Sequence, residues 1–453
     1  MLFPSFNQKL GSKVGSNLAI AIALAAGTVL ATAGFAEPAF AQKKKDKKEE
    51  EARPQYSKEF VAAYQPIEQG LNAPAPDFAA LKAMIPSITG LAQSQDEKMA
   101  AGNVVYNIGA KSNDQALQLQ GMKLMIASGK VAPAQAGQYN FIAYQLSTIA
   151  EQHAEARTYL QAAMDANYST ANVSSDQLRV NMAESFFAEN RFAEGLDYLG
   201  RGIAQRKAGG LAVDEQWYRR GLTVAYNNEV VPQVYDYVAM WIVDYPSATN
   251  WRDAINIARN LNTFDVGEIL DLLRLSYKVG AMTEKVEFIE YIESADARRL
   301  PKEVETVIQH GYAKGRISKD DIFVADSLRV ATGRLAADRA DLPALERDAR
   351  AANVGLRTVV AAGDTFLNYG EMAKAEEFYA KSLGIPGVDT QLVLTRLGIT
   401  QVHQGKYEEA MATFAKVQGK RQPIAKLWSA YAKGEAAKAA PAAAPVVMAP
   451  APS

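Results

Sequence analysis

The sequence predicts an all-α protein built of antiparallel helix pairs stacked side by side. Three observations carry that expectation. Between about 58 and 433 apolar residues recur at three- and four-residue steps, and strand alternation is hard to find. Short Gly, Asn, Asp and Pro clusters separate these segments at intervals suited to ordinary helices. One arrangement of small and aromatic residues also returns at a fixed spacing.

The chain begins with Lys9 and Lys13 ahead of an apolar run, "LAIAIALAAGTVLATAGFA" (18–36), followed by small residues at Ala39 and Ala41. That order is the layout of a secretory signal peptide, cut most simply between Ala41 and Gln42. An uncleaved anchor is the alternative, because the run is near the ~20 residues that span a bilayer. The small-residue ending favours cleavage, and the mature chain is expected to be periplasmic or secreted.

Residues 42–57, "QKKKDKKEEEARPQYS", hold almost nothing to bury and are expected to be a charged, disordered linker. Lys43, Lys44, Lys45, Lys47 and Lys48 could touch anionic lipid, but Glu49, Glu50 and Glu51 beside them oppose it. Residues 58–250 form an N-terminal helical-repeat region, 251–350 an irregular one, and 351–433 a final pair with a capping helix. The Ala/Pro-rich end, 434–453, is expected to be a disordered tail, since repeated Pro prevents a continuous helix.

Within 58–433, segments such as "VGEILDLLRLSYKVG" (266–280) and "LPKEVETVIQHGYAKG" (300–315) put apolar groups on one helical face. Roughly 18 to 22 helices of ordinary length fit there. In "FLNYGEMAKAEEFYAKSL" (366–383), Gly370 is preceded by Gly363 and Phe366 and followed by Met372, Ala375 and Tyr379. Around Gly405, 35 residues later, Gly398, Tyr407, Ala410 and Phe414 repeat those offsets. Looser matches place Ala183, Phe186, Asn190, Phe192, Gly195 and Leu199 in one unit, and Gly221, Val224, Asn228, Val230 and Tyr237 in another. Gly or Asn at the break suits the left-handed residue that ends a helix.

This pattern resembles the tetratricopeptide repeat, a 34-residue helix-turn-helix unit. The likeness is specific over about 355–422, fair over 140–246 and general elsewhere; around 283–350 the pattern cannot be placed. The resemblance implies a right-handed superhelical solenoid whose first helices line a concave groove. About 375 residues would hold roughly 11 such units.

Composition excludes several functions. Lys and Arg number 49 and Asp and Glu 50, a net charge of −1, so the basic excess of a nucleic-acid binder is missing. Zero cysteines exclude disulfides, thiolate metal sites and cysteine nucleophiles. His153, His310 and His403 lie far apart with no metal-binding spacing, and no phosphate-binding loop or nucleophile elbow is present, so no cofactor, metal or catalytic residue is expected. His403 falls on a first helix and reads as an exposed groove residue.

One fragment is enzyme-like. Glu184 and Ser185 resemble the Glu-Ser opening of the catalytic motif in soluble lytic transglycosylases, where a lone Glu is the general acid. The glycine-rich segment that follows in that family is absent here, and Glu184 is already a first-helix position of a repeat. Trp217, Tyr218, Tyr226, Tyr235, Tyr237, Trp241, Tyr245 and Trp251 could stack on cell-wall glycan, although repeat wedge positions demand aromatics and about two thirds should be core.

The repeat alignment puts Gln177, Glu184, Tyr218, Tyr226, Arg357, Asp364, Asn368, Thr395 and His403 on the groove side. The expectation is a non-enzymatic, exported scaffold or adaptor that binds a protein or peptide in the bacterial cell envelope. Wall-polysaccharide binding, or cleavage through Glu184, is the alternative.

Overall fold

The computed structural model describes residues 54–439. The signal peptide with its cleavage point, most of the charged linker, and the last residues of the tail lie outside them. Among the described residues there are twenty α-helices and no strand, so the all-α expectation holds. None of these helices is long and apolar enough to cross a membrane. The chain divides into two compact units, meeting in sequence between Asn190 and Arg191.

The first unit contains α1 (Lys58–Leu71), α2 (Phe78–Leu91), α3 (Gln95–Lys111), α4 (Gln115–Ala127), α5 (Pro133–Ile149), α6 (His153–Asp165) and α7 (Ser175–Ala188). Ser57, Asp77, Ser94, Asp114 and Ser174 cap five of these helices by accepting backbone N–H groups that have no partner inside the helix. Glu97 completes a capping box with Ser94 and also reaches back to α1, accepting from the Ser57 N–H (2.9 Å) and hydroxyl (2.7 Å). Phe60, Ile67, Ile85, Ile88, Val105 and Ile108 close the core of α1 to α3.

The second unit contains α8 (Phe192–Ala208), α9 (Glu215–Asn227), α10 (Gln233–Asp244), α11 (Ala248–Asn260), α12 (Val266–Lys278), α13 (Lys285–Ala295), α14 (Pro301–Ala313) and α15 (Ile322–Arg350). It continues with α16 (Leu356–Asn368), α17 (Met372–Ser382), α18 (Thr390–His403), α19 (Tyr407–Phe414) and α20 (Gln422–Ala439). The helix α20 runs past Gly434 into the stretch expected to be tail.

Close approach explains the small residues of the repeat. A Cβ on Gly363 would lie 2.7 Å from the Tyr379 ring, one on Gly398 2.4 Å from the Phe414 ring, and one on Gly221 2.0 Å from the Tyr237 ring. Each pair is sixteen positions apart, so the bare backbone of one helix receives the aromatic wedge of the next. The breaks are left-handed at Asn190 (φ 58°), Gly370 (φ 77°) and Gly405 (φ 74°). In the α9–α10 pair the left-handed residue is Glu229 (φ 50°), one position after the expected Asn228.

The stretch where the repeat could not be placed has a different build. Its third helix, α15, is 29 residues long and buries only Val324, Ala331 and Ala349. A helix that leaves its middle exposed needs no hairpin signature there. Leu270, Phe288, Tyr291, Val304 and Ile308 tie α12, α13 and α14 to the start of α15.

Candidate functional site

The most heavily built polar assembly lies inside the second unit, around α12. Leu270, Leu272, Leu273 and Leu275 are all buried, so the helix is enclosed on most sides and Asp271 between them is fully buried too. Its carboxylate accepts from Arg274 (2.7 Å) on the same helix and from Arg421 (2.7 Å), 150 residues away; the Arg396 guanidinium stands 3.6 Å off. Arg274 also grips Glu303 of α14 with two hydrogen bonds, at 2.7 and 2.8 Å. Tyr291 donates to the same Glu303 carboxylate (2.6 Å), and the Glu303 N–H donates to the Asn368 side chain of α16 (2.9 Å). Arg396 of α18 and Tyr379 of α17 both donate to Asp364, each at 2.6 Å.

Burial pushes the Asp271 carboxyl upward in pKa, but the charges of Arg396, Arg274 and Arg421 outweigh it and leave it below the ordinary aspartate value. Glu303 is likewise held low, burial being overcome by Arg274. The cluster is therefore ionised and mutually compensated. That is what a low-dielectric interior requires of charges that stay charged.

α20 completes this assembly. The Trp428 indole N–H donates to the Asp271 carbonyl (3.0 Å), and Ile424, Leu427 and Trp428 are buried against α10, α11, α12, α18 and α19. Lys426 pairs with Asp236 of α10 (2.6 Å). The face of α12 and α18 thus carries a helix of the same chain.

The sequence-derived groove residues separate accordingly. Asp364 and Asn368 belong to the buried network, and Thr395 is fully buried with its hydroxyl on the Gln391 carbonyl (2.7 Å). Asn368 and Thr395 are therefore not open to a partner, because α16 and α18 turn them inward. Tyr218 is also buried and donates its hydroxyl to Asp244. Tyr226 is half-buried and accepts from Asn260 (3.4 Å). His403 keeps an exposed side chain with its ring 6.2 Å from Trp428; the protein crowded around it, then the Lys278 and Arg274 charges, lower its pKa and keep it neutral at pH 7. Arg357 is exposed.

In the first unit, Gln177 is exposed and donates to Asn181 (2.9 Å), while Glu184 is half-buried on α7. The first helices α3 and α5 add half-exposed Asn103, Asn107 and Asn140, which the sequence reading did not single out. Asn107 donates to Asn103 (2.5 Å) and Asn140 to the Ala136 carbonyl (2.9 Å), so amide capacity is left over on this face.

Of the eight aromatics between 217 and 251, Trp217, Tyr218, Tyr235, Tyr237, Trp241 and Trp251 are buried, and Tyr226 and Tyr245 are half-buried. Tyr237 donates to the Leu196 carbonyl (2.7 Å) and Trp241 to Glu215 (2.8 Å), so these rings serve packing. Among the described residues no three His, Asp or Glu side chains converge as metal ligands.

Asp271, Arg274, Arg396 and Arg421 escaped the sequence reading. The available signal was Asp271 and Arg274 set three apart inside a leucine run, where a solvated face would be expected to be polar throughout. No family model matches this chain, and no curated protein matches it well enough to indicate a family.

Proposed function

We propose that this chain is an exported, tetratricopeptide-like scaffold that binds a protein or peptide partner in the bacterial cell envelope, through the first-helix face of the first unit. The observation that supports the reading is the contrast between the two units. In the second, Asp364, Asn368 and Thr395 are consumed by internal bonds, and of the groove positions on α16 and α18 Arg357 and His403 stay exposed. In the first, Asn103, Asn107, Asn140 and Gln177 stay half or fully exposed on α3, α5 and α7, with amides suited to an extended peptide backbone. Export rests on the amino-terminal run and its small-residue ending.

Two measurements test this. A photo-crosslinking residue at Asn103, Asn107 or Asn140 is expected to trap a discrete envelope polypeptide, whereas one at Gly333 of α15 is not. Equal labelling from both faces, or none, would remove the assignment. Amino-terminal sequencing of the protein recovered from cells is expected to begin at Gln42, and a retained Met1 would sink the export reading.

A further inference from the structure

In the second unit α10, α11, α12 and α20 leave a recess of about 760 Å³ between them. That volume falls in the range of roughly 300–1,000 Å³ typical of ligand pockets. Ile242, Val243, Val279 and Trp251 give it apolar walls. Four lysines, Lys207, Lys278, Lys433 and Lys438, line it against two carboxylates, Asp244 and Glu435.

The carboxylates are already engaged. Asp244 holds Lys207 (2.5 Å) and Glu435 holds Lys438 (2.7 Å). Lys278 and Lys433 are exposed, and among the described residues neither has a carboxylate within ion-pair distance. Lys278 ends α12, where a cation suits the helix terminus. Lys433 has no such reason, since it lies within the body of α20. A third source of positive potential is the start of α11, where Ser247 accepts from the Asn250 N–H and, among the described residues, the Ala248 N–H has no partner.

We propose that this recess binds an acidic peptide segment, with carboxylates on Lys278 and Lys433 and a neighbouring apolar side chain against the partly exposed Val243 and Val279. The apolar walls argue against a bare inorganic anion, which would leave them wet. Two uncompensated ammonium groups argue against a neutral glycan. Lysines act as hydrated point charges, which accept carboxylates without the planar match that arginine imposes. The site is independent of the partner face proposed for the first unit, so either can fail alone.

The test uses the full chain and a fluorescein-labelled Glu-Leu-Glu-Phe amide, with Gln-Leu-Gln-Phe amide as control, followed by anisotropy at low and at 0.15 M salt. The acidic probe should bind about tenfold tighter than its amide twin at low salt, with the difference shrinking as salt rises. A double variant, Lys278→Gln with Lys433→Glu, should abolish that preference while the circular dichroism spectrum stays unchanged, because both side chains are exposed and neither bonds to another group among the described residues. Equal affinity for both probes, or a preference that survives in the double variant, overturns the proposal. Displacement of the acidic probe by equimolar inorganic phosphate would also overturn it, by reducing the site to a simple anion pocket.

Discussion

Arg421 and Asp271 stand 150 residues apart in sequence and meet as a buried ion pair at 2.7 Å, with Asp271 wholly enclosed and Arg421 nearly so. This pair joins the turn before the last described helix to the middle of α12. Whatever loosens it takes the close anion from Arg421, while Arg274 keeps Glu303 and Arg396 keeps Asp364.

Replacing Asp271 with Asn should therefore be severe. The substitution leaves Arg274, Arg396 and Arg421 without their shared anion, and stranding a buried charge costs about 3–5 kcal/mol. Urea unfolding should show that loss. The exposed pair of Arg329 and Asp326, with 75% and 64% of the two side chains accessible, sets the contrast: Asp326→Asn should change stability by less than about 1 kcal/mol. Similar losses in the two variants would mean that the buried cluster is not a stabilising unit.

Trp428 fixes the other end of the same closure. Its ring is fully buried and its N–H is taken by the Asp271 carbonyl, so Trp428→Ala removes a large buried side chain and leaves a cavity beneath α20. A loss of about 3–5 kcal/mol is expected. Lys426→Ala, two residues earlier and on a partly exposed pair, should cost no more than about 1 kcal/mol in the same urea series.

Two glycines should respond with opposite signs. Gly398→Ala forces a methyl to within 2.4 Å of the Phe414 ring and should destabilise by about 1–3 kcal/mol. Gly333→Ala, in a helix position with no atom within 4 Å, should stabilise by up to about 1 kcal/mol. Thermal melts of both variants decide this, and two shifts of the same sign would contradict the packing account.

Acid should weaken the first unit through Glu97. Backbone N–H groups of Ser94 and Ser57 lower its pKa from 4.5 to about 2. The folded value lies below the unfolded one, so its contribution is complete above pH 4.5 and is lost as pH falls toward 2. Glu97→Gln should flatten that part of the stability profile, measured by thermal midpoints across the window. An unchanged acid limb would show that Glu97 contributes nothing to it.

The helices, their breaks and the wedge pairs were legible because each is a local matter. Helical spacing acts over a few residues, the left-handed break at Gly370 over one, and the Gly363–Tyr379 contact over a single hairpin. The aromatics near 217–251 were also readable as core, since Tyr237 occupies the wedge opposite Gly221. Groove residues were less legible. Thr395 and Asn368 hold first-helix positions like those of Gln177, yet they are buried while Gln177 is exposed.

The sequence by itself determined that this chain is helical, where its hairpins turn, and which small and aromatic residues press together inside them. Only the tertiary structure decided that α20 covers α12 and α18, and that Asp271, Glu303 and Asp364 share Arg274, Arg396 and Arg421. The reason is distance along the chain. A hairpin contact depends on one turn, whereas a contact across 150 residues depends on the summed rotations of every helix pair between, which no local pattern records.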